Sequence, residues 1–230
     1  MNRTRSLFET RKEEIENLYN TIVMADAEAH SNIVPILKST FVIMLYTLME
    51  SCILEGFKEI YEIIPESFPT HDTLNEKLVS RWISKVVRDN SKKPDEYLAI
   101  LLQQVINEPA RTIDIGKIEE MKDISSGNLD KNWIKKLLVS HGIPISRSSR
   151  GRIGKHTEYI KERRNKLSHG EESFAVSMRD CPVTTSEEGL QSILGIKEDI
   201  VDYMESVIGD MAEFYDNKLY LKQIENENIE

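Results

Sequence analysis

The run Ser39–Met49, STFVIMLYTLM, is the most apolar stretch of the chain, and whether it crosses a bilayer or fills a core decides the fold. Lys38 and Glu50 bound it, and it falls well short of the ~20 apolar residues that a span requires, so it reads as a buried helix. Upstream, Phe8, Ile15, Leu18, Tyr19, Ile22 and Val23 recur at helical spacing. The apolar helix itself opens near Pro35, a plausible first-turn proline, and continues through Phe57 and Ile60. The two patterns predict a long antiparallel helix pair. The opening stretch MNRTRSLFETRKEEIENLY has no apolar core of a secretion signal, so no membrane partner and a cytoplasmic location are expected.

Farther along, Ile193, Ile196, Ile200, Met204, Val207, Met211 and Phe214 recur at threes and fours and predict a third long amphipathic helix. A fourth leads into Arg164. Between them, from about 68 to 149, three shorter helical patterns, LNEKLVSRWISKVV, EYLAILLQQVI and NWIKKLLVS, are separated by DNSKKPD and EPARTIDIG. This region reads as a helical insertion, with GIPISRSSRGRIG (Gly142–Gly154) as a mobile basic loop at its exit. No strand period stands out, and the terminal NENIE is expected to fray.

The composition agrees with a single helical domain over 1–230. Of 230 residues, 40% are hydrophobic and 30% charged, with ten Gly and seven Pro, which suits a helix-rich globular chain. Cys52 and Cys181 stand far apart, in no disulfide or metal-ligand pattern. The net charge is −9, yet the segment Arg147–Lys166 carries +6, which leaves −15 on the rest. An acidic body with one basic segment excludes a surface that binds nucleic acid everywhere but not a local anion site.

That segment ends in IKERRNKLSHGEE, Ile160–Glu172. Arg164 and His169 stand five positions apart, with Gly170 following as a helix terminator. Five residues correspond to roughly 140° around a helix, so the two side chains do not share a face: either the long arginine reaches around or a partner chain completes the site. Chemically the pair suits phosphodiester cleavage in RNA. An imidazole exchanges protons with a 2′-hydroxyl or a leaving oxygen near neutral pH. A guanidinium holds two phosphate oxygens and stabilises the charge of the transition state. That route needs no metal and no cofactor, and no residue cluster suggests one.

The string YIKERRNKLSHGE, together with LYTLMES upstream, resembles the HEPN superfamily, in its bacterial branch found near restriction and abortive-infection genes. The hallmark there is an arginine, four to six residues, then a histidine, often with a polar residue directly after the arginine; here these positions are Arg164, Asn165 and His169. The resemblance implies an all-α, HEPN-like four-helix bundle with a helical insertion and a homodimer joining two motifs in one cleft. It also implies a metal-independent endoribonuclease leaving 2′,3′-cyclic phosphate, in toxin–antitoxin or antiviral defence, with a cognate antitoxin or defence-system protein as a further partner. In HEPN toxins silenced by a nucleotidyltransferase a tyrosine stands two residues after the histidine; here that residue is Glu171.

Each candidate also has an ordinary reading. His169 would favour the C-terminal end of a helix dipole in any case. Glu50 interrupts an apolar helix and needs a partner such as Arg164 or Asn165, which makes it a supporting residue. Ser168 reads as a local backbone hydrogen bonder rather than a nucleophile. Lys161, Arg163, Lys166, Arg147, Arg150 and Arg152 fit a phosphate-tracking surface or a solvated basic face. Tyr159 and His156 are candidate base-stacking groups, and Trp82 and Trp133 belong to core stripes. The rival function is a catalytically inert helical module binding RNA or a protein.

Overall fold

The computed structural model describes residues 1–28, 32–107, 112–113, 128–184 and 192–223. The tail NENIE and most of EPARTIDIG lie outside these residues. The described chain is all-α. Its helices are α1 (Asn2–Ala27), α2 (Val34–Ile63), α3 (Glu76–Asp89), α4 (Asp95–Asn107), α5 (Lys131–His141), α6 (Arg147–Arg150), α7 (Thr157–Ser168), α8 (Phe174–Ser177) and α9 (Ile193–Asp216). Among the described residues the only β-type pairing is an isolated bridge between Leu74 and Leu221.

Helix α2 is the axis of the molecule, packed against α1, α7, α8 and α9. The stretch Val34–Ser67 is long and apolar enough to cross a membrane, longer than the eleven-odd residues of its most apolar run suggest, but its side chains line the protein core. Phe41, Val42, Leu45, Leu48, Met49, Cys52, Ile53 and Ile60 are all fully buried. A helix apolar nearly all round must be enclosed on all sides, and the other helices do this. Helix α1 runs antiparallel to it, as the apolar periods predict: Arg3 meets Glu55 at 2.9 Å and Glu62 at 2.6 Å at one end, and Tyr19 meets Phe41 at the other. The α1 stripe stops at Ile22, with Val23 and Met24 exposed.

The polar residues of α2 are placed as deliberately as the apolar ones. Glu59 accepts the Thr4 N–H at 2.9 Å and the Thr4 hydroxyl at 2.6 Å, capping the first turn of α1 from a neighbouring helix. Burial opposes its charge, but these bonds outweigh that and hold its carboxyl below the usual carboxylate range. Lys38 donates to the Cys181 carbonyl at 2.6 Å and Ser39 to the Phe174 carbonyl at 2.8 Å, fastening the chain that follows the motif helix.

The region read as an insertion shares its core with the bundle. Helix α5 buries Ile134, Leu137, Leu138 and His141, whereas α3 buries only Leu78. Trp82 and Trp133 are partly buried against that core, as their stripes predict. The Gly142–Gly154 segment, expected as a loop, contains the short helix α6 and is tied to the bundle. Ser146 caps the short helix α6, its N–H donates to Asp210, Ser149 bonds Ser206 at 2.7 Å, and Ile143 and Ile145 are buried. Sequence-local loop chemistry is overruled there by bonds from the distant α9.

His141 illustrates how tightly α5 is seated. Its Nδ1–H donates to the Leu137 carbonyl at 2.7 Å, which fixes the tautomer, and Nε2 accepts the Tyr61 hydroxyl at 2.9 Å. Burial, reinforced by the Arg81 guanidinium, pushes its pKa from 6.5 down to about 3. The unfolded chain therefore binds a proton below pH 6.5 that the native chain refuses until about 3, so stability falls as pH drops through that window. The slope approaches ~1.4 kcal/mol per pH unit for one such group. Thermal melts at pH 7.5 and 5.0 should show a smaller pH effect in His141→Phe than in the native protein, although the variant starts from a lower melting temperature for want of the Tyr61 bond.

Candidate active site

The motif sits on α7, and the structure anchors the two ends of this helix differently. At its start Asp199 of α9 accepts the Gly154 N–H at 2.8 Å, the His156 N–H at 2.9 Å and the His156 Nδ1–H at 3.0 Å. Burial disfavours this carboxylate, but the His156 bonds prevail and hold its pKa below the ordinary value. Gly154 has φ of +78°, and a Cβ there would stand 2.7 Å from the Tyr203 ring, so only glycine fits. Thr157, Ile160 and Leu167 form the buried stripe. At the other end the helix closes with His169 as its cap and Gly170 at φ +72°. The Gly170 N–H donates to Leu167 O at 3.3 Å and the Glu171 N–H to Lys166 O at 2.9 Å, the paired bonds of a Schellman turn.

Arg164 lies half-buried over the face of Tyr46, with its Cζ 4.9 Å from the ring centroid, and its Nη1 donates to Asn165 Oδ1 at 3.1 Å. Glu50, one turn beyond Tyr46 on α2, is beside it. One carboxylate oxygen of Glu50 is buried without a hydrogen-bond partner. Burial raises its pKa, an effect that the Arg164 charge only partly opposes, and no ion pair joins the two. The structure thus brings Arg164, Asn165 and Glu50 together. It does not bring in His169, whose exposed ring makes no side-chain bond among the described residues; its backbone N–H donates to Asn165 O at 2.9 Å. Ser168, expected as a local backbone hydrogen bonder, is exposed and makes no side-chain hydrogen bond among the described residues.

The six cations expected to track phosphate divide into two sets. Lys161 is paired with Asp130, the N-cap residue of α5. Arg163 meets Glu172 at 2.9 Å and Lys166 meets the same carboxylate at 3.0 Å. The Lys166 bond, with Arg163 beside it, pulls the Glu172 pKa down to about 2. Arg147, Arg150 and Arg152 are exposed and form no ion pair among the described residues. The base-stacking candidates are occupied: His156 is tied to Asp199, and Arg163 lies 5.2 Å over the Tyr159 ring. Sequence reasoning missed Tyr46, whose signal was an aromatic residue four positions before Glu50. It also missed Asp130 and Glu172, which carry no local signal as counter-ions. Among the described residues no three His, Cys, Asp or Glu side chains converge to hold a metal ion.

An all-helical chain with an Arg–Asn–x₃–His motif at the end of a packed helix is of HEPN type. A family model described as HEPN_MAE_28990-like HEPN matches residues 5–220, nearly the whole chain, and the protein belongs to that family. No curated protein and no solved structure matches it. HEPN domains are generally ribonucleases, so the coarse class is nuclease-like.

The unpartnered Glu50 carboxylate makes a prediction of its own. Its raised pKa means that the ionised form is disfavoured in the folded state, so its effect on stability is absent at low pH and grows as pH rises through the unfolded value. Glu50→Gln should melt higher than the native protein at pH 7.5, and the difference should vanish near pH 4, where the native residue is itself protonated. A lower melting temperature for the variant at both pH values would show that the charge is compensated.

Proposed function

We propose that this HEPN protein is a metal-independent endoribonuclease in which Arg164 and His169 cleave the RNA backbone, and that it acts as a homodimer in toxin–antitoxin or antiviral defence. The observation that carries this reading is Arg164, a guanidinium held half-buried beside Asn165 with most of its N–H donors unused. In the reaction His169 takes the 2′-hydroxyl proton, the 2′-oxygen bonds to phosphorus, and the P–O5′ bond breaks as the leaving 5′-oxygen takes the proton from the His169 imidazolium, which leaves a 2′,3′-cyclic phosphate, a 5′-hydroxyl and a neutral imidazole. Arg164 stabilises the charge gathered on the non-bridging oxygens. General acid–base catalysis contributes about 10² to 10⁴-fold, so His169→Ala should lower the rate at least about 100-fold, and Arg164→Ala similarly. The assay is cleavage of tRNA and single-stranded RNA in EDTA, with end-group analysis; unchanged activity in both variants would sink the mechanism.

The same geometry supports the homodimer reading. Arg164 turns inward onto Tyr46 while His169 stands in solvent at the helix end, so one chain does not close the pair. If each site takes its arginine from one copy and its histidine from the other, mixing the Arg164→Ala and His169→Ala proteins rebuilds one good site in every mixed dimer. Up to about a quarter of native activity should return, since half the dimers are mixed and each carries one working site. No recovery after subunit exchange would place both groups in one chain.

The division of the cations supports an RNA contact through the exposed three. Among the described residues Arg147, Arg150 and Arg152 form no ion pair, whereas Lys161, Arg163 and Lys166 are matched by Asp130 and Glu172. Replacing the first three by Ala should flatten the dependence of log K on log salt by about 2, the value for three phosphate contacts to a single strand. Replacing the second three should leave that slope unchanged and lower the melting temperature.

The exposed, unsupported His169 ring favours one alternative, an inert module that binds RNA or a protein through the same surface. Binding without cleavage, equal in the native protein and His169→Ala, would select it.

A further inference from the structure

Two arginines stand side by side on α7, each over an aromatic ring, and differ in their counter-ions. Arg163 lies over Tyr159 and its Nη1 donates to both oxygens of Glu172, at 3.2 and 2.9 Å. Arg164 lies over Tyr46 and meets no carboxylate at hydrogen-bond distance among the described residues. An aromatic face attracts a guanidinium through its plane and leaves the N–H edges free. A carboxylate in the same place would occupy the donors that a phosphate needs. Of the five donors of a guanidinium, one is used by Asn165 and the others meet no carboxylate among the described residues.

We propose that Tyr46 is a positioning residue for Arg164, fixing the guanidinium by its ring face so that the bidentate edge stays open to a phosphate. The claim rests on the ribonuclease reading for its consequence, though not for its geometry. Tyr46 suits the task because it cannot move. It is 1% exposed, it lies in the middle of α2, and its hydroxyl accepts the Leu129 N–H at 3.1 Å. Glu50, four residues on and therefore on the same face of α2, adds a negative group beside the guanidinium without an ion pair. Ring and carboxylate form a corner in which the arginine is oriented but not neutralised. The Leu129 bond extends this support to the entry of α5, so the segment leading into α5 and the motif helix meet at one phenol.

Two variants separate the ring from the hydroxyl. Tyr46→Phe keeps the face and loses the Leu129 bond; Tyr46→Met fills much of the same space without a face. The Nε–Hε resonance of Arg164, assigned by its loss in Arg164→Ala, should be displaced by the ring current in the native protein and in Tyr46→Phe. In Tyr46→Met it should return to the position of a solvated arginine. Cleavage should follow the same order, with Tyr46→Phe within about twofold of native and Tyr46→Met about tenfold lower in kcat. An undisplaced Arg164 resonance in the native protein overturns the proposal without any variant having to fold. So does a displaced resonance in native protein and Tyr46→Phe with equal kcat in Tyr46→Met. Failure of the native protein to cut any RNA overturns the ribonuclease reading instead, and the resonance still decides whether Tyr46 holds Arg164.

Discussion

A helix that is apolar on nearly every side has to be surrounded, and α2 imposes that requirement on the whole chain. Its core residues draw in α1, α7, α8 and α9, and the few polar groups it carries are answered one by one. Lys38 finds the Cys181 carbonyl, Ser39 the Phe174 carbonyl and Glu59 the first turn of α1. A buried polar atom without a partner costs on the order of 1–3 kcal/mol, so such matching is expected. Glu50 is the exception on this helix, and it sits at the arginine of the motif. An unanswered polar group is tolerated most often where it serves a task other than stability.

The charge distribution follows the same pattern of local answers. An acidic protein with a local excess of +6 would present a broad positive face if the cations were independent. They are not. Asp130 and Glu172 remove three of them from the field that an incoming polyanion would feel, and in doing so they fix α7 to α5 and to its own C-terminal turn. Arg147, Arg150 and Arg152, exposed and without an ion pair among the described residues, lie on a turn held to α9 through Ser146, Ser149 and the Asp210 carboxylate.

The long helices were legible in the sequence because periodicity reports which face of a helix avoids water, and α1, α2 and α9 are long enough for the period to be unambiguous. Gly170 was equally plain, since a glycine after a polar helical run ends it by backbone geometry alone. The anchoring of the Gly142–Gly154 segment was not legible, for a physical reason. Its glycines, serines and proline favour turns locally, whereas what fixes it are single hydrogen bonds from Asp199, Ser206 and Asp210, far along the chain and without a local signature. Pairing is hidden from sequence in the same way. The motif named Arg164 and His169, but neither the ring beneath the one nor the solvent around the other is written in their spacing.

The central place of α2 also has a cost in time. Helices α1 and α2 are neighbours in the chain and can meet as a local hairpin as soon as both exist. The other flank of α2 is closed by α9, which begins at Ile193, 130 residues after Ile63. At about 5–20 residues per second a ribosome takes on the order of ten seconds to cover that distance. Until then a helix with the length and hydropathy of a membrane span lacks part of its cover, so the nascent chain exposes apolar surface that the finished protein buries.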